Sequence, residues 1–160
     1  MKELREKTGA GVMECRNVLV ETAGDLDKAS KILEERGLAK AQKKAARVAS
    51  QGLVEAYIHP GGRLGVLVEL NCETDFVAHT DEFKGLAHNL ALQIAATAPQ
   101  FISAEQIPQE MKLDPKEVCL LAQPFIKDQT KSIETIINEV VAKVGEKISI
   151  GRFVRFQVGK

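Results

Sequence analysis

A chain of 160 residues with 44% hydrophobic content can bury one moderate core, or a core and a small satellite. Its 22 basic residues are matched by 22 acidic ones, which argues against direct binding to a nucleic-acid backbone. No apolar run approaches the roughly 20 residues that span a bilayer, and the mostly charged start, Met1 to Lys7, lacks the apolar centre of a signal peptide. A cytoplasmic protein without membrane contact is therefore expected, and the absence of a transit peptide favours a bacterial host. The three cysteines, Cys15, Cys72 and Cys119, are widely spaced and form no C-x-x-C pair, and the three histidines complete no metal pattern. Small buried hydrophobes in a reducing compartment are their expected role.

Residues 1 to about 37 read as three short helices. Met1 to Lys7 forms the first, and Thr8 to Gly11 makes a glycine-punctuated turn. Val12 to Thr22 follows, with Val12, Cys15, Val18 and Leu19 on one stripe. Asp25 caps a third helix lined by Leu26, Ala29, Ile32 and Leu33, and Gly37 is expected to stop it. The Thr8–Gly11 loop is too short, and lacks the lysine, for a phosphate-binding loop. Leu38 to Ser50, with Lys40, Lys43, Lys44 and Arg47, suits a helical or partly helical linker whose charges face solvent.

From Leu53 the pattern changes to period two. Leu53, Glu55, Tyr57 and His59 alternate with Val54, Ala56 and Ile58, and Pro60 to Arg63 turns the chain back. The returning strand places Leu64, Val66, Val68 and Leu70 on one face. Thr80 then caps a helix striped with Phe83, Leu86, Ala87, Leu90, Ile94 and Ala95, which Pro99 ends. Phe101 to Asp114 is irregular, and Pro115 opens a short helix carrying Val118, Leu120 and Leu121. Ser132 caps a helix striped with Ile133, Ile136, Ile137, Val140, Val141 and Val144, and Gly145 stops it. In the last strand Ile148, Ile150, Val154, Phe156 and Val158 are expected to share a face.

The fold class is therefore α+β: an N-terminal three-helix domain (1–48, with its linker), then a three-stranded antiparallel sheet packed with helices on one face (49–160). The other face stays open, with Tyr57, Leu67 and Phe153 as candidates for exposure on it.

Between the second strand and its helix lies a corner, Asn71 to His79, that sets Phe76 among Thr74, Asp75 and Val77. Two readings stand side by side. Phe76 can fold back as a lid on the core while Asp75 makes a turn bond, or it can point outward as an apolar wedge for another protein's pocket. Cys72 with Asp75 and a histidine can be drawn as a thiol hydrolase, but no signature of that chemistry accompanies them.

Thr74 to Ala78 following Leu70 to Glu73, with Phe83 beyond, resembles the signature corner of the translation elongation factor Ts family. Leu4 to Gly11 with Cys15 resembles that family's N-terminal signature, and Gly145 to Ile148 running into Arg152 and Phe153 is a third match in family order. The resemblance implies a guanine-nucleotide exchange factor for elongation factor Tu, not an enzyme of covalent chemistry, with no cofactor or metal of its own. The N-terminal unit would be similar to ubiquitin-associated domains and dock on the GTPase through Leu4, Arg5, Thr8, Gly9 and Ala10, although Leu4 suits a core position equally well. Thr74, Asp75, Phe76 and Val77 would form the wedge that dislocates magnesium. Short family members pair two chains, so a homodimer through the open sheet is expected. A plain ubiquitin-associated adaptor is the rival function, but it leaves the corner without a role.

Overall fold

The computed structural model describes residues 1–44 and 46–160, and the side chains of Lys40, Ala41, Gln42 and Lys44 also fall outside the description. Of the basic linker stretch, Lys40 and Lys44 thus lie outside the residues whose side chains are described. The chain divides into two compact units, Met1–Val48 with Asn138–Lys147, and Ala49–Ile137 with Ile148–Lys160.

In the first unit, α1 (Lys2–Thr8), α2 (Val12–Glu21) and α3 (Leu26–Lys44) succeed one another. Gly9 closes α1 in the left-handed region at φ 66°, a conformation that glycine adopts without strain. Asp25 opens α3, its Oδ1 accepting the amides of Asp27 and Lys28 at 3.2 and 3.0 Å. Those bonds, the Lys28 amide foremost, hold the Asp25 carboxyl below its ordinary range. Leu4, Cys15, Val18, Ala29 and Leu33 make the core, with Ala10, Leu19 and Ile32 packed against it. Val12 and Leu26 open their helices and are exposed, because each stripe begins beyond this small core. Gly37 does not stop α3. It sits inside the helix without positive φ, and the helix-forming run that follows continues the spiral to Lys44.

The second unit begins with β1 (Gln51–Ile58) and β2 (Leu64–Cys72), followed by the one-turn α4 (Asp75–Ala78) and the long α5 (Asp81–Thr97). Then come α6 (Pro115–Val118), β3 (Pro124–Phe125), β4 (Asp128–Ser132), α7 (Ile133–Val144) and β5 (Ser149–Gln157). Residues Asn138 onward in α7 group with the first unit. The sheet is antiparallel in the order β1-β2-β5, and α5 lies across β1 and β2. Val66, Val68, Leu70 and Cys72 are buried on that side, as are Phe83, Leu86, Ala87, Leu90, Ile94 and Ala95 from α5. Ser132 Oγ caps α7 by accepting the amide of Thr135 at 3.1 Å.

Two expectations about strand faces are corrected. Tyr57 stands opposite Val66 and Phe153 opposite Val68, so both lie on the helix-covered side rather than the open one. The cause in β5 is a bulge: Glu69 pairs with Arg152 but Leu70 pairs with Ile150, leaving Gly151 as the extra residue. A side chain there would collide with the ends of Asn71 and Glu69, both 2.8 Å from a Cβ at Gly151. The bulge reverses facing along the strand. Ile150 turns to the covered side, whereas Val154 and Phe156 turn to the open one.

The β3–β4 hairpin is absent from the expected elements. It is tied to α5 by Gln93, which is buried, although a stripe position there would be expected to be apolar. Gln93 Nε2 donates to Gln123 Oε1 at 3.2 Å and Pro124 O at 3.1 Å, and its Oε1 accepts the amide of Ile126 at 2.9 Å. Full satisfaction of the amide makes its burial tolerable.

Candidate functional site at the strand-to-helix corner

β2 ends at Cys72, and two threonines then bracket a single turn of helix. Thr74 Oγ1 accepts the amide of Val77 at 3.4 Å and so caps α4. Thr80 Oγ1 accepts the amide of Phe83 at 3.3 Å, capping α5, and donates to Val77 O at 2.7 Å. The same residue thus finishes one helix and starts the next. The Cys72 thiol is directed at Thr74 O, 3.0 Å away, beneath the turn.

A one-turn helix divides its four residues between two sides. Val77 and Ala78 face inward and are buried, which leaves Asp75 and Phe76 outward and exposed. Phe76 has 79% of its surface open to solvent, so the lid reading is overturned. The expected turn bond also belongs to Thr74, not to Asp75. A large exposed aromatic on a corner pinned at both ends is unusual among exposed side chains, because it combines apolar area with a fixed backbone. His79 closes the turn: its Nδ1 lies 2.6 Å from Asp75 O. A carbonyl only accepts, so Nδ1 carries the proton.

The buried Cys72 thiol faces a backbone acceptor, while the Nδ1 atoms of His79, His59 and His88 engage Asp75 O, Tyr57 Oη and Glu55 Oε1 respectively. All three cysteines are buried, and burial raises the Cys119 thiol above its ordinary value. Among the described residues no group of three or more His, Cys, Asp or Glu is placed to hold a metal ion. None of the described helices is long and apolar enough to cross a membrane.

The five N-terminal residues fall in α1 and the loop behind it, but they are not equally available. Leu4 is 1% exposed and belongs to the core, which decides between its two readings. Thr8 Oγ1 donates to Leu4 O at 2.7 Å and accepts the Ala10 amide at 3.4 Å, so it braces the turn. Ala10 packs on the core, and Gly9 supplies the left-handed step. Only Arg5 among the five presents an exposed side chain.

The open sheet face is a further apolar surface of this unit. Val54, Ile58, Leu67, Val154 and Phe156 are exposed on it. Depressions of about 330 and 300 Å³ lie along it, the first lined by Ile58, Gly65, Leu67 and Phe156, the second by Val54, Leu67 and Val154. Its charges are self-paired: Arg152 Nε donates to Glu69 Oε2 at 2.9 Å. Asn71 first and Arg152 second hold the Glu69 carboxyl below its ordinary range.

Sequence comparison gives these features a context. The profile of the family described as Elongation factor TS matches residues 22–116 and 110–160. Elongation factor Ts of Desulforamulus reducens is 48% identical over all of this chain and 88% of its own length. The corresponding protein of Moorella thermoacetica is 46% identical, over all of this chain and 94% of its own, and that of Syntrophomonas wolfei is 49% identical, over all of this chain and 89% of its own. These alignments run over 190 positions against 160 residues here, so the relatives carry residues that face gaps in this chain. The two profile matches meet at 110–116, in the irregular segment ahead of α6 and its first residues.

Proposed function

The chain belongs to the elongation factor Ts family, and we propose that it is a guanine-nucleotide exchange factor for elongation factor Tu. It binds the GDP form, dislocates magnesium and promotes GDP release so that GTP can enter. The observation that carries this reading is the outward Phe76 ring on a turn capped from both sides.

Exchange requires the factor to bind the nucleotide-free GTPase more tightly than the nucleotide-bound one, and linkage makes that antagonism mutual. Each tenfold loss of GDP affinity needs about 1.4 kcal/mol of differential binding. Burying a Phe is worth roughly 1.5–3 kcal/mol. Phe76 contributes to exchange to the extent that its pocket opens only when nucleotide leaves. Asp75 brings a carboxylate to the same place and disturbs the magnesium surroundings without ligating the ion. Thr74 and Val77 hold the geometry from the cap and from the core.

The N-terminal unit holds the GTPase while the second unit works against it. Arg5 makes the direct contact there, with Leu4, Thr8, Gly9 and Ala10 shaping the turn that presents it. The factor supplies neither metal nor cofactor, and it acts in the bacterial cytoplasm. Two copies associate through the open sheet face, whose apolar residues and self-paired Glu69 and Arg152 allow like to meet like without charge repulsion.

The test is release of a fluorescent GDP from elongation factor Tu, with and without this chain. Acceleration at substoichiometric factor supports exchange. Tight binding without acceleration, or no binding at all, removes the exchange reading and leaves the adaptor.

A further inference from the structure

We propose that His79 is a positioning residue for Phe76: its Nδ1–H bond to the Asp75 carbonyl holds the single turn of α4 in shape, so that the ring is presented already in place. This rests on the reading of Phe76 as the wedge.

One turn of helix is not stable by itself, because fixing its dihedrals yields too few internal bonds. Its last carbonyls also lack partners further along the same helix. In α4 those carbonyls are met by the two residues that follow. Asp75 O accepts the His79 amide at 3.2 Å and His79 Nδ1 at 2.6 Å, and Phe76 O accepts the His79 amide at 3.3 Å. Val77 O accepts the Thr80 amide at 3.0 Å and its hydroxyl at 2.7 Å. The imidazole contact is the shortest of these.

Three features favour positioning over simple stability. The bond closes on Asp75, the residue beside Phe76, rather than on a core group. His79 is exposed, so truncating it opens no cavity. Holding the turn before the encounter spares the ordering cost that binding would otherwise carry. Protonation does not break the arrangement, because the imidazolium also carries hydrogen on Nδ1.

The experiment compares full-length wild type with His79→Ala, His79→Asn, Phe76→Ala and the double variant of Phe76→Ala with His79→Ala, in GDP release from elongation factor Tu. Asn places an amide N–H where Nδ1 stands. His79→Ala is expected to lower the maximal rate about fivefold, the usual worth of one hydrogen bond, with its urea midpoint unchanged. His79→Asn recovers most of the loss, and the double variant is no slower than Phe76→Ala alone. A ¹⁵N–¹H correlation spectrum at neutral pH should show the His79 proton on Nδ1, the tautomer that is less populated in free imidazole. Wild-type exchange by His79→Ala, equal deficits in the Ala and Asn variants, additive losses in the double variant, or a proton on Nε2 with none on Nδ1 would each overturn the inference. Wild-type exchange by Phe76→Ala would instead overturn the wedge reading beneath it.

Discussion

Two of the apolar surfaces that the second unit exposes, the corner and the open sheet face, are built differently. At the corner, one ring stands on four helical residues whose backbone is pinned by Thr74, His79 and Thr80. On the open sheet, Val54, Ile58, Leu67, Val154 and Phe156 spread over three strands, held by the ladder itself. A point contact of fixed direction can enter a pocket that exists in only one state of a partner. A broad contact has no such selectivity and suits lasting association. The same chemistry of apolar exposure thus serves leverage in one place and adhesion in the other.

If the sheet face joins two copies, charge placed in it should have the largest effect. Phe156 is 69% exposed, so Phe156→Asp is tolerated by the isolated fold. In a two-fold interface the change occurs twice, and each carboxylate would be buried without a partner. The dimer dissociation constant should rise by a hundredfold or more, about 2.7 kcal/mol. Sedimentation equilibrium would then find monomer at micromolar concentration. A wild-type monomer under the same conditions removes this half of the comparison outright.

The corner should respond oppositely. Phe76→Ala is expected to slow catalysed GDP release tenfold or more while leaving both the fold and the association state intact. Phe83, seven residues on and fully buried, provides the contrast: Phe83→Ala should destabilise by about 3–5 kcal/mol. Were Phe76→Ala to unfold the chain as Phe83→Ala does, the two aromatics would have the same role and the wedge would be lost. Stopped-flow GDP release beside thermal melts separates the cases.

What could be read beforehand divides along the same line. The stripe from Phe83 to Ala95, the caps at Asp25, Thr80 and Ser132, and the β1–β2 hairpin follow from local periodicity and short-range hydrogen bonding, and all are present. The facing of β5 was not legible as an alternating pattern, because one extra residue at Gly151 reverses everything beyond it. Gly151 within a strand run was the available signal. Gln93 on an apolar stripe was likewise a sign of a polar partner, but the β3–β4 backbone it satisfies lies some thirty residues away, so no local rule could name it. The direction of Phe76 was undecided for a related reason. A four-residue turn has no periodicity to read, and only the burial of Val77 and Ala78 fixes which side is out.

The smallest of these effects tests whether pinning is what distinguishes the corner. Thr80→Val keeps the shape of the side chain but removes the oxygen that caps α5 and the hydroxyl that meets Val77 O. Loss of a helix cap costs about 1 kcal/mol, and Thr80→Ser should restore most of it. Because Thr80 ends one helix and begins the next, the loss should appear first as local opening. The Phe83 amide should then exchange with deuterium about fivefold faster while amides in β2 keep their protection. Uniformly faster exchange throughout the unit would mean that the cap supports only global stability. In that case the corner owes its shape to the buried Val77 and Ala78 alone, and its contrast with the sheet face reduces to a difference of area.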